Sequence, residues 1–116
     1  MSDRDHWLSK VHLLGSARVE IAYQRTFTPA EAERLRAGSW PQSMDDKWVV
    51  FLGESSLDLW RSRTGHCIYS LPARRAGDGV AVGPMLVNGD TQQYRRTSDA
   101  DDIRLFEAIV DRIVSV

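Results

Sequence analysis

Between Lys47 and Asn88 the chain alternates apolar and polar residues in short runs separated by turn residues, and this pattern constrains the fold more than any other feature. KWVVFLGE reads as a strand with Trp48, Val50 and Leu52 on one face and Val49 and Phe51 on the other, so both faces are expected to be covered. LDLWRS reads as a second strand, with Leu57 and Leu59 opposite Asp58 and Trp60. Thr64-Gly65 permits a turn before a third strand, HCIYSL. PARRAGDG, residues 72–79, reads as a polar loop, and VAVGPMLVN as a fourth strand bent or placed near an edge by Gly83-Pro84. Such short connections favour an antiparallel meander, because parallel strands need long crossovers.

Flanking segments add a further strand and helices. From Arg18 to Phe27, Val19, Ile21 and Tyr23 alternate with Glu20 and Gln24, as in a half-buried strand. TPAEAERLRAG then carries a helix start and stop: Thr28 as cap, Pro29 at the first helical position, Glu31 to close a capping box and Gly38 as terminator. At the C-terminal end Ser98 or Asp99 caps a second helix over 99–115, with Asp99, Asp101 and Asp102 at its positive end. Its apolar stripe is Ile103, Phe106, Ile109, Val110, Ile113 and Val114. The expected fold is α+β: an antiparallel meander sheet of four or five strands with helices packed mainly on one face. A chain of 116 residues suits one domain over 1–116, with 1–16 as a loosely attached N-terminal segment.

Charge and cysteine usage narrow the function classes. A formal net charge of −1 supplies no global attraction for nucleic acid or an anionic membrane, so neither is an expected partner. A single cysteine, Cys67, forms no internal disulfide and argues for a reducing compartment; with no signal-like N-terminus and no apolar run of about 20 residues, a cytoplasmic protein is expected. His6, His12 and His66 are widely spaced and form no H-x-x-x-H or H-E-x-x-H pattern, so no metal site or cofactor is expected. Phosphate-binding and dinucleotide-binding glycine patterns and the G-x-S-x-G elbow are absent from the sequence.

The densest chemistry lies in WRSRTGHCIYS, residues 60–70. Arg61 and Arg63 supply planar guanidinium groups that grip phosphate or carboxylate, and Trp60 and Tyr69 supply rings for stacking. Thr64 and His66 flank Gly65 at the loop-to-strand boundary, where an imidazole is expected at a site rim. Cys67 is read as a buried strand residue rather than a nucleophile, since alternation points it away from His66. Asp45 and Asp46 bring two carboxylates beside a strand start, with a salt bridge to Arg61 or Arg63 as the structural expectation. Arg74-Arg75 and Arg95-Arg96 add two basic pairs in polar segments.

MDDKWVVFL, followed by LDLWRSRTGHCIYSL, a VN-containing strand and a C-terminal amphipathic helix, resembles a family of small bacterial proteins. That family carries a D-D-K-W and then R-S-x-T-G-x-C-I-Y signature. The resemblance covers roughly residues 40–115 and implies a compact α+β unit, without bringing an assigned chemistry. The family pattern has an aromatic residue between the positions of Ser62 and Thr64, where this chain has Arg63, and a second basic group there changes what is bound.

With no convergent catalytic set in the sequence, a binding module is favoured over an enzyme. The expected partner is a protein, engaged in the manner of an immunity-type or accessory protein. The competing expectation is a nucleotide or ADP-ribose-like ligand, its phosphates held by Arg61 and Arg63 and its base stacked on Trp60 or Tyr69. In either case the expected surface is the Arg61–His66 turn with the Asp45-Asp46 loop.

Overall fold

The computed structural model describes residues 3–115. The fold is α+β, with a seven-stranded antiparallel sheet and three helices: α1 (Asp3–Leu8), β1 (Arg18–Ile21), β2 (Arg25–Phe27), α2 (Pro29–Ala37), β3 (Trp48–Leu52), β4 (Ser56–Arg61), β5 (Cys67–Ala76), β6 (Gly79–Val82), β7 (Met85–Asn88) and α3 (Asp99–Val114). Five strands form the main path β1-β7-β5-β4-β3, and a short arm branches from the far half of β5 through β6 to β2.

Two departures from the expected strands produce this arm. The stretch 72–79 is not a loop: β5 continues to Ala76 and pairs with β6 through Ala73–Val82 to Ala76–Gly79, leaving Gly77-Asp78 as a two-residue hairpin turn. The expected strands 18–27 and 80–88 are each split, so that β1 pairs with β7 while β2 pairs with β6. The splits face each other. Pro84 follows a cis peptide bond and lacks a ladder donor, and Gly83 adopts φ +131 with so little room that a Cβ there would lie 2.4 Å from the Tyr23 carbonyl oxygen. Arg74 braces the junction, donating to the Gly83 carbonyl at 3.1 Å and to the Gln24 side-chain oxygen at 2.9 Å.

One sheet face carries the larger core. Val50, Leu52, Leu57, Leu59, Ile68, Tyr69 and Leu71 meet Ala32 and Leu35 of α2 and Phe106, Val110 and Val114 of α3. The capping box forms as expected, with the Glu31 amide donating to Thr28 Oγ1 at 3.2 Å and the Thr28 amide to Glu31 Oε1 at 3.0 Å. Ser98 caps α3 by accepting from the Asp101 amide.

The opposite face holds a smaller core of Val49, Trp60 and Cys67, covered by Trp7, Leu8, Val11 and Leu14. Residues 7–14 therefore lie as a strap across the second face of the sheet. Gly65 permits this contact: its φ is +76, and a Cβ would meet the Lys10 carbonyl oxygen at 2.4 Å.

Candidate functional site

β3 ends the main sheet, and the chain leaving α2 covers its free edge. Ser39 and Val50 exchange both backbone hydrogen bonds, at 2.8 and 3.1 Å. Residues 42–47 then stand out from this edge, exposed throughout. Local polar bonds shape the loop: the Gln42 amide donates to Asp46 Oδ2 at 2.9 Å, and the Asp45 amide to Ser43 Oγ at 3.3 Å.

The turn after β4 lies against this loop. The Ser62 amide donates to the Lys47 carbonyl at 2.9 Å, and Ser62 Oγ donates to the Asp46 carbonyl at 2.9 Å. Within the turn, the Gly65 amide reaches the Arg61 carbonyl at 2.8 Å and the His66 amide reaches Thr64 Oγ1 at 3.3 Å. The structure thus brings together the two segments that carry Asp45, Asp46, Arg61, Arg63, Thr64 and His66, although backbone and hydroxyl groups join them. The expected salt bridge is absent: among the described residues neither arginine pairs with Asp45 or Asp46. Arg61 instead places its guanidinium carbon 4.4 Å from the centre of the Trp48 ring, and Arg63 is exposed without an ion-pair partner among the described residues.

Trp60 and Tyr69 are not available for stacking a ligand. Trp60 is 6% exposed beneath the strap and donates its indole N–H to the His12 carbonyl at 2.9 Å. Tyr69 is fully buried because the β4–β5 register shifts between Leu59 and Trp60, with Leu59 opposite Tyr69 and Trp60 opposite Cys67. This bulge turns both Ile68 and Tyr69 into the larger core, where simple alternation would separate them.

Tyr69 belongs to a buried polar network that sequence reading missed. Its hydroxyl donates to Asp102 Oδ1 at 2.9 Å, the Tyr94 hydroxyl donates to the same oxygen at 2.7 Å, and Arg96 Nε reaches Asp102 Oδ2 at 2.8 Å. Arg96 also pairs with Asp99. Burial first, and then neighbouring Tyr94 and Asp102, push the Tyr69 hydroxyl far above its ordinary pKa, so it stays a donor. Trp48 lies nearly parallel to Tyr69, at 11° and 6.2 Å between ring centres. In the sequence Asp102 is one more acid at a helix start, and only its place on the buried side of α3 distinguishes it from Asp99 and Asp101.

Cys67 is 3% exposed, and burial, reinforced by the charge of Asp58, pushes its thiol well above the usual range. A thiol so held stays protonated, consistent with a packing role. Asp58 is also raised, by burial, although Ser56 Oγ donates to its Oδ2 at 2.7 Å. A carboxyl raised in the fold binds its proton more tightly than in the unfolded chain, so folding loses stability as pH rises from 3.8 through the folded value. Asp58→Asn is therefore expected to raise the denaturation midpoint at pH 7. The gain should vanish below the unfolded carboxyl range, and a variant less stable than wild type at pH 7 would contradict it.

Two depressions flank the loop. On one side a cleft of about 560 Å³ is lined by Trp40, Asp45, Asp46, Lys47, Trp48 and Arg112, among others. On the other, a groove of about 350 Å³ is formed by Trp7, Pro41, Met44, Ser62 and Arg63 with Gln42 and Ser43. Met44, at its rim, is 84% exposed. Among the described residues no three His, Cys, Asp or Glu side chains gather in a metal-binding group, and no helix is long and apolar enough to cross a membrane. Comparison with models of protein families, with curated proteins and with solved structures returns no match.

Proposed function

We propose that this chain is a small cytoplasmic binding module of the immunity or accessory kind, engaging a protein partner through the surface formed by loop 41–47 and turn 61–66. The observation that carries this reading is Met44, 84% exposed at the rim of a groove with Trp7 and Pro41 in its wall and the unpaired Arg63 beside it. A large apolar side chain held in water beside an uncompensated guanidinium suits a partner segment that presents an apolar side chain next to a carboxylate. Methionine adapts its shape to such contacts, and arginine is enriched where interfaces concentrate their binding energy. Hydrogen bonds from the Ser62 hydroxyl to the Asp46 carbonyl and from the Ser62 amide to the Lys47 carbonyl hold the two segments together, which lowers the ordering cost of binding.

The competing ligand reading relied on Trp60 and Tyr69 as stacking rings, and both are buried. The test compares immobilised wild type, Met44→Asp and Arg63→Ala as baits, with melting temperatures measured in parallel. A protein retained by wild type and lost from both variants at unchanged melting temperature is the expected result. A melting shift with ADP-ribose or a nucleotide, abolished in Arg61→Ala/Arg63→Ala, would replace this reading with the ligand one.

A further inference from the structure

We propose that His12 and His66 form a two-imidazole site for a divalent late transition ion, Ni²⁺, Cu²⁺ or Zn²⁺, which ties the N-terminal strap to the turn after β4. The ring centres lie 5.9 Å apart with the planes inclined at 37°. Two imidazole nitrogens bound to one tetrahedral ion at about 2.0–2.1 Å put their ring centres roughly 5 Å apart, within about an ångström of the separation here.

Neither imidazole makes a hydrogen bond or ion pair among the described residues, which leaves their ring nitrogens uncommitted. His12 is exposed and His66 half-buried, so an ion and its remaining water ligands have access.

Backbone geometry fixes the pair in advance. The His12 amide donates to the Gly65 carbonyl at 2.9 Å, and the His12 carbonyl accepts from the Trp60 indole at 2.9 Å. The His66 carbonyl accepts from the Arg61 amide at 3.0 Å, and its amide is held by Thr64. Both ligand-bearing positions are thus clamped on each side, as preorganised binding requires.

Ligand chemistry sets the class of ion. No carboxylate or thiol joins the pair in a cluster of three among the described residues. Neutral nitrogen donors without carboxylates disfavour Mg²⁺ and Ca²⁺ and favour the late transition series. Because one ligand lies on the strap and the other on the turn, binding stabilises the closed strap over Trp60 and Cys67.

Ni²⁺, added to the full chain without other metals, is the probe. At a tenfold excess over its dissociation constant it should raise the melting temperature of wild type by roughly 5 °C, reversibly on chelation. It should also slow alkylation of Cys67. Both effects should be kept in His6→Ala and lost in His12→Gln and in His66→Gln, the first exposed and the second half-buried, both expected to fold. An absent shift in wild type at millimolar Ni²⁺, or a shift that persists in His12→Gln/His66→Gln, would overturn the site.

Discussion

Phe106→Ala should destabilise the protein by about 3–5 kcal/mol, read as a fall in the chemical denaturation midpoint with the slope of the transition preserved. Phe106 has no solvent exposure and sits where α3 meets the sheet, edge-on to Tyr23 at 5.6 Å between ring centres and 88° between planes. It also approaches Tyr69 at 6.4 Å. Removing the ring leaves a void between strands and helix that neither neighbour fills without leaving its own contacts, since Tyr23 is bonded to Glu107 and Tyr69 to Asp102. Phe106→Leu, which keeps most of the volume, should cost much less. An unchanged midpoint in Phe106→Ala would place α3 away from the sheet.

Asp102→Ala is the second large effect, expected at about 2–4 kcal/mol. Asp102 is 1% exposed and receives the Tyr69 and Tyr94 hydroxyls and the Arg96 guanidinium. Truncation leaves the Tyr69 hydroxyl, fully buried, with Tyr94 as its remaining partner. Arg96, part-exposed and still paired with Asp99, recovers some solvation, which keeps the cost below that of a fully enclosed ion pair. Tyr69→Phe removes one donor and should cost roughly 1 kcal/mol, leaving the carboxylate bonded to Tyr94 and Arg96. Equal stability of Asp102→Ala and wild type would show that the network is not closed in solution.

What the sequence discloses depends on how local the determining interaction is. Trp48 to Trp60 reads correctly because period-two alternation and two-sided burial are properties of a single strand. The two helices are legible because their caps lie next to them in sequence. The outer half of β5 hides within PARRAGDG, since an arm strand with Arg74 and Arg75 exposed has no apolar signal. Tyr23 continues an unbroken alternation, and the split between β1 and β2 falls where Gly83 of another segment comes so close that a Cβ there would meet the Tyr23 carbonyl.

The candidate site divides in the same way. Proximity of Asp45-Asp46 to the Arg61–His66 turn follows from the hairpin register, with Trp48 opposite Arg61. Burial of Tyr69 follows from a bulge and is invisible to alternation. The strap, with a six-residue helix and irregular chain beyond it, carries too little periodicity to reveal that Trp7, Val11 and Leu14 cover Trp60. His12 and His66 likewise meet only through that tertiary contact.

Site-specific photo-crosslinking in cells tests the proposed interaction surface most directly. A photoreactive residue replaces Met44 or Arg63 on the surface, and Arg75 or Arg95, exposed on other segments, as controls. One discrete protein adduct is expected from positions 44 and 63, none from 75 or 95, and loss of the 44 adduct when Arg63→Ala is added. Adducts from 75 or 95 with none from 44 and 63 would contradict it.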